Sequence, residues 1–196
     1  KNMVSIRVLR ASGVKDTQQW LTHFGFEADK HPAYLTMALG AGSVTPMQMA
    51  EAYSVFANGG HRVQGQLIAK VVDDKGRVLF ARPATSVGEA ERSIDARNAF
   101  VMNSMLQEVA RSGTAARAQA TLKRPDLYGK TGTTNDSLDA WFAGFQPGLV
   151  AVVWVGYDQP RSLGKHETGA TVALPVWIEA MGGALKDQPP DRKSVV

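Results

Sequence analysis

Tyr128-Gly129-Lys130-Thr131-Gly132-Thr133-Thr134-Asn135-Asp136 is the stretch around which the rest of the chain is arranged. Between Lys130 and Asp136 it carries a fixed positive charge, three threonine hydroxyls and a glycine without a side chain. Two aromatic-rich apolar runs follow, 139–146 and 149–158, of the length and composition of strands. Gln146-Pro147-Gly148 between them reads as a tight turn. Residues 130–134 are therefore expected to form a third strand, paired to these two in an antiparallel sheet. Alternation along a strand would set the hydroxyls of Thr131 and Thr133 side by side. Lys130 adds charge, and Gly132 allows a second backbone to come close. Such a strand suits an extended peptide that ends in a carboxylate.

Two other readings of the same residues are weaker. A bare Lys-Thr-Gly is too short to be diagnostic, and a surface strand of threonines ending in an Asn-Asp turn would contain it too. A phosphate-binding loop would need glycine five residues before Gly129 and a helix afterwards. The chain instead has Arg124, followed by Pro125, and then strands.

The 196 residues, 44% hydrophobic and 20% charged, have the composition of an ordinary globular domain. No apolar run reaches the ~18 residues that a membrane helix requires, and no secretory leader is visible. A net charge of +4 fits an anionic surface such as a cell wall or membrane, while the lack of a Lys/Arg cluster argues against nucleic acid. Without cysteine, thiol catalysis and disulfides are excluded. The four histidines, His23, His31, His61 and His166, lack metal-ligand spacing and read as surface or loop residues; no metal site is expected.

In chain order, residues 1–10 look helical and stop at Ser12-Gly13, and 16–24 reads as a short helix capped by Asp16. Thr45-Pro46-Met47-Gln48 has the form of a capping box with proline at the first helical position. The helix it opens would bury Met49, Tyr53 and Phe56 and end at Asn58-Gly59-Gly60. Residues 68–72 and 77–80 flank Asp73-Asp74-Lys75-Gly76 as a hairpin, in which the paired acids serve the turn. Asp95 caps a helix to about Arg111, with Met102, Met105, Leu106 and Val109 turned inward as core filling. The run 149–155 is apolar without alternation, as in a central strand covered on both faces. Pro175 opens a last helix that reaches Gly182-Gly183. One domain is expected over 1–185, with a loose polar tail over 186–196.

The motifs resemble a known family. Lys130-Thr131-Gly132 matches one of three motifs, with S-x-x-K and S-x-N, shared by penicillin-binding proteins and class A β-lactamases. The wording around it is similar to the transpeptidase domain of class A penicillin-binding proteins, in its C-terminal part. The matching segments are Lys1-Asn2-Met3-Val4-Ser5-Ile6, Leu39-Gly40-Ala41-Gly42-Ser43-Val44-Thr45-Pro46, Phe56-Ala57-Asn58-Gly59-Gly60 and Ser112-Gly113-Thr114-Ala115. Asp139-Ala140-Trp141-Phe142 and Trp154-Val155-Gly156-Tyr157-Asp158 follow in family order.

The resemblance implies an α/β fold of the α+β type, a mainly antiparallel sheet covered by helices. It implies a peptidoglycan DD-transpeptidase, which cross-links stem peptides through a serine acyl-enzyme and is inhibited by β-lactams. Asn2 would bind the substrate backbone and the catalytic lysine. Lys130, Thr131 and Thr133 would hold the carboxylate, Gly132 would leave the strand edge open, and the Thr133 N–H would serve the oxyanion. No cofactor is implied. The implied partners are stem peptides, β-lactams, the upstream part of the same domain and the cell-wall synthesis machinery. The place is the periplasmic side of the inner membrane, with the anchor and a glycosyltransferase domain outside these residues.

Two literal S-x-x-K matches, Ser12-Gly13-Val14-Lys15 and Ser162-Leu163-Gly164-Lys165, are decoys, since one straddles a helix end and the other lies in a loop. Both also follow Asn2, against the family order. The nucleophilic serine is thus expected upstream of Lys1, and these residues alone are expected to be inactive. The alternatives are a class B monofunctional transpeptidase, which the wording around Trp141 and Trp154 disfavours, and a non-catalytic sensor or scaffold on the same fold.

Overall fold

A computed structural model describes residues 2–83 and 91–191. The chain begins with α1 (Asn2–Ser12) and α2 (Val14–Trp20), passes through short 3-10 turns, and enters α3 (Pro46–Ala57). A hairpin of β1 (Lys70–Val72) and β2 (Val78–Ala81) leads to α4 (Ala96–Arg111) and α5 (Ala116–Leu122). Then come β3 (Tyr128–Thr133), β4 (Asp139–Gln146) and β5 (Leu149–Gly156), and finally α6 (Leu174–Ala184).

The caps act as their residue types dictate. Thr45 N–H donates to Gln48 Oε1 at 2.9 Å, and Gln48 N–H donates back to Thr45 Oγ1 at 3.1 Å, so α3 starts with a closed capping box. Asp95 accepts from Arg97 N–H at the start of α4. The hairpin turn is tied by Asp73, which accepts from the backbone of Lys75 and Arg77 at 3.0 and 2.7 Å. The start of α2 differs from expectation. Gly13, at φ 87°, is the N-cap, and Asp16 falls inside the first turn. The helix ends at Trp20 and continues as a 3-10 turn, Leu21–Phe24.

β3, β4 and β5 form one antiparallel sheet in that order. Lys130 pairs with Ala143, Thr131 with Phe142 and Gly132 with Trp141. Trp141 in turn pairs with Trp154. Because side chains alternate, each face of the sheet has its own core. On one face Tyr128 and Phe145 stack at 4.8 Å and pack with Leu106 of α4 and with Tyr53 and Phe56 of α3. On the other, Phe142 meets the Trp177 ring edge-on at 4.9 Å, amid Leu174, Ile178 and Met181 of α6. Trp177 Nε1 also donates to the Ala151 carbonyl at 3.0 Å, which satisfies the indole N–H inside the core. The architecture is an antiparallel α+β sheet covered by helices.

Three details depart from the sequence reading. Among the described residues β4, not β5, is the middle strand, and every residue of β5 is only half-buried. An unbroken apolar run reports that both faces are covered, and it does not report the strand's rank in the sheet. Met105 is outward on α4, where Ala99, Leu106 and Ala110 are the buried residues; it lies a third of a turn off that stripe. The polar end is held down over 188–191, because Arg124 is 7% exposed and donates to the Gln188 and Pro189 carbonyls. Residues 192–196 lie outside the described residues. Among the described residues no helix is long and apolar enough to cross a membrane.

Arg124 also forks onto fully buried Asp126, with contacts of 3.1 and 2.8 Å. Asp126 further accepts from Gln146 Nε2 and from Asp191 N–H. This knot ties the entry to β3, the end of β4 and the last described residue. Removing one partner would strand a buried charge, which costs about 3–5 kcal/mol. Asp126→Ala is expected to lose about that much in urea unfolding, and Arg124→Met with Asp126→Leu together less than half of it. Equal losses in the two proteins would contradict a desolvated ion pair here.

Candidate active site

β3 brings Lys130, Thr131, Gly132 and Thr133 to the wall of a cavity of about 690 Å³. Met49 and Tyr53 of α3 line it from another side, and the segment around His31, Met37 and Gly42 from a third. Alternation puts Lys130 on one face of the strand and the two threonines on the other. The lysine nonetheless bends back along the strand. Its Nζ donates to the Thr131 carbonyl at 2.8 Å and lies 3.5 Å from Thr131 Oγ1. Among the described residues it forms no ion pair. Burial lowers its pKa from the ordinary lysine value of 10.5 although part of the side chain stays exposed. An ammonium without a counter-ion among the described residues, near the Thr131 hydroxyl, can attract an anion.

Both hydroxyls are held from behind. Thr131 Oγ1 is 2.7 Å from Thr114 Oγ1, on the turn that ends α4. Thr133 Oγ1 accepts from Gly169 N–H at 3.0 Å, so its own proton is left to give away. Gly169 opens a π-helical turn, Gly169–Ala173, that leads into α6 and is capped by Thr168 and Thr171. It lies against the strands so closely that a Cβ there would fall 2.3 Å from the Trp141 carbonyl and 2.5 Å from that of Gly132. Within the chain, the backbone that comes close to Gly132 is that of Gly169. On the other strand neighbour, a Cβ at Gly132 would sit 3.2 Å from Trp141 Cβ.

The connection after β3 is fixed by Thr134, whose Oγ1 accepts from Asp139 N–H at 2.7 Å. Asp139 in turn accepts from Trp154 Nε1 at 2.9 Å. Tyr53, whose phenol burial pushes up to about 12, stays protonated in the cavity wall.

Asn2 is not brought to this cavity. It is exposed at the start of α1, whose contact with the site runs through the turn Leu35–Leu39; Met37 and Leu39 of that turn line the cavity. Lys1 lies outside the described residues. The two literal S-x-x-K serines are also elsewhere. Ser12 ends α1 while Lys15 belongs to α2. Ser162 Oγ donates to the Asp136 carbonyl at 2.7 Å and braces a loop. His31 corrects the expectation of a surface histidine. It is 8% exposed, its Nε2 has no hydrogen-bond partner among the described residues, and its ring meets Phe26 edge-on at 5.3 Å. Burial lowers its pKa, so the ring is neutral at neutral pH. Among the described residues no group of three or more His, Cys, Asp or Glu could hold a metal.

Sequence reasoning missed Thr114 and Gly169 as parts of the site. Ser112-Gly113-Thr114-Ala115 stood out only as family wording. Gly169 carried no local signal, since its partner Thr133 is 36 residues away in the chain.

Known proteins resemble this chain in sequence and in fold. Residues 1–176 match the family described as the penicillin-binding protein transpeptidase domain. Penicillin-binding protein 1A of Neisseria flavescens is 51% identical over 187 residues, which cover 95% of this chain and 23% of that relative. The chain thus spans about a quarter of the length of the curated relatives it matches. A crystal structure of penicillin-binding protein 1A from Haemophilus influenzae superposes with a TM-score of 0.89 at 36% identity, over 98% of this chain and 34% of that one. PonA1 of Mycobacterium tuberculosis in complex with penicillin V gives a TM-score of 0.65 at 26% identity, over 84% of this chain and 44% of that one.

Lys130 has a consequence for stability. Burial opposes its charged form, so the folded protein releases this proton at a lower pH than the unfolded chain. The penalty is whole below the lowered value and is relieved as pH rises from there to 10.5. Lys130→Met is expected to be modestly more stable than the parent at pH 7, with the gap closing towards pH 10.5. A constant gap in urea midpoints, or a less stable variant, would contradict the burial of an uncompensated charge.

Proposed function

The chain belongs to the penicillin-binding protein transpeptidase family, as its match over residues 1–176 shows, and from that premise we propose that it works as part of a class A peptidoglycan DD-transpeptidase. What supports the reading is the Lys130 ammonium, without an ion pair among the described residues, 3.5 Å from the Thr131 hydroxyl on a cavity wall that Thr133 also lines. A stem peptide ending in D-Ala-D-Ala, or a β-lactam in its place, has the carboxylate that such a group would bind. The peptide backbone pairs beside β3 as an added strand.

In the proposed reaction a serine hydroxyl attacks the penultimate carbonyl, loses its proton to a neighbouring lysine, and forms an ester. The terminal D-alanine leaves with a proton on its amine. An amine from a second stem peptide then attacks the ester, which restores the serine and makes the cross-link. Thr133 N–H is the proposed donor to the oxyanion in both steps, a task that depends on a fixed backbone. We take the serine and lysine of the attack to be supplied from outside residues 1–196, since neither Ser12 nor Ser162 lines the cavity, and Ser43, which does, has Pro46 where S-x-x-K requires lysine. These residues provide the carboxylate and oxyanion half of the site. Asn2 joins it only if the nucleophile's segment brings the start of α1 inward.

The whole protein is proposed to act at the periplasmic side of the inner membrane, with a glycosyltransferase activity beside this one. Its partners would be stem peptides, β-lactams and the cell-wall synthesis machinery. Identity to penicillin-binding protein 1A favours this reading over a monofunctional class B enzyme. No metal or organic cofactor enters the steps above.

The test is acylation of the full-length protein by a fluorescent penicillin. Lys130→Ala removes a charged hydrogen-bond donor, worth roughly 1.5–3 kcal/mol, or about 10- to 150-fold in the second-order rate. Thr131→Ala removes a hydroxyl whose task Thr133 shares, worth nearer ~1 kcal/mol, or about fivefold. Equal losses would reject the division of roles. Penicillin bound without a covalent adduct would point to an inert sensor instead of an enzyme.

A further inference from the structure

Thr114 lies 2.7 Å from Thr131, oxygen to oxygen, and the turn that carries it is built for that approach. Ser112 and Gly113 N–H both donate to the Glu108 carbonyl at the end of α4, and Ala115 N–H donates to that of Val109. A Cβ at Gly113 would fall 2.8 Å from Val109 Cα, so the chain passes the helix too closely for any side chain there. Ala115 on the other flank is fully buried. Thr114 is thereby held from both sides, and among the described residues Thr131 is the partner of its hydroxyl.

We propose that Thr114 is a positioning residue that sets the direction in which Thr131 gives its proton. The proposal rests on the reading of Thr131 as a carboxylate-binding residue. Each hydroxyl has one proton and two acceptor positions. The Lys130 ammonium, 3.5 Å from Thr131 Oγ1, can only donate to it. Thr131 can then spend its proton on Thr114 or on an anion. When a carboxylate binds, the Thr131 proton turns to it, and Thr114 reverses and donates to Thr131 Oγ1. A hydroxyl that accepts from one neighbour donates more strongly to the next, so the pair strengthens the bond to the anion. The reversal needs no movement of heavy atoms, only rotation of two hydroxyl protons.

A hydroxyl held in this way matters for a ligand with a carboxylate and not for one without. The test compares acylation of the full-length protein by a penicillin and by the methyl ester of the same penicillin. Thr114→Val keeps the shape and removes the hydroxyl. It is expected to slow the free acid about fivefold, the size of one neutral hydrogen bond, and to leave the ester within twofold. Thr114→Ser, which restores the hydroxyl, is expected to return the free acid to within twofold of the parent. Equal slowing of acid and ester by Thr114→Val would mean that Thr114 merely supports the strand, and would overturn the proposal. So would an unchanged acid rate, or a serine variant as slow as the valine one. Should the valine variant not fold, Thr114→Ala is read by the same ratio. If the unaltered protein is acylated by neither compound, the transpeptidase reading itself fails, and this proposal falls with it.

Discussion

The pairing register of β3 on β4 is the constraint on which the site depends. Lys130 opposite Ala143 and Thr131 opposite Phe142 make the lysine side chain leave the strand from one face, before its ammonium bends back to Thr131, and put the hydroxyls on the side of Thr114 and Gly169. A slip by one residue would exchange the two faces and leave neither group with its neighbours. The register is fixed by packing at the other end of the same strands. Tyr128 stacks on Phe145, and Phe142 is seated against Trp177 across the sheet. The buried Arg124–Asp126 pair adds a second anchor just before β3. The packed end of the strand pair thus sets the geometry of the end that carries Lys130, Thr131 and Thr133.

The site keeps groups that a fold selected for stability alone would not keep. Lys130 lacks an ion-pair partner among the described residues, and burial opposes its charge. His31 has a buried Nε2 without a partner among the described residues and forms part of the same cavity. Both line the cavity that Thr131 and Thr133 also line, in contrast to the well-satisfied core on either side of the sheet. The backing of the hydroxyls has the same logic. Gly169 N–H fills one acceptor position on Thr133, and the Thr114 hydroxyl meets Thr131, so both threonines are oriented before any ligand arrives.

Local chemistry was legible in the sequence where a residue acts on near neighbours. The Thr45–Gln48 capping box, the Asp95 cap, the hairpin turn at Asp73 and the strands around Pro147-Gly148 all follow from residue types a few positions apart. Helix faces were legible on average, with Met105 as the exception, because a stripe of methionines does not say which member lies at its edge. Long-range order was not legible. Nothing local ranks β4 inside β5, or ties Gln188 and Pro189 to Arg124 across more than 60 residues. The strand bearing Lys130, Thr131, Gly132 and Thr133 could be read because one motif holds all four. Thr114, Gly169 and His31 come to it from separate elements, and only the fold assembles them. Asn2 shows the reverse, a motif residue that these residues leave exposed and away from the cavity.

The central claim is that the threonine-bearing strand receives a carboxylate. The most direct measurement is a crystal structure of the full-length protein after reaction with penicillin. The account predicts a serine ester, with the carboxylate of the opened β-lactam within hydrogen-bond distance, about 2.7–3.2 Å, of Thr131 Oγ1 and Thr133 Oγ1 and next to Lys130 Nζ. A covalent adduct whose carboxylate is bound elsewhere, with β3 untouched, would contradict it.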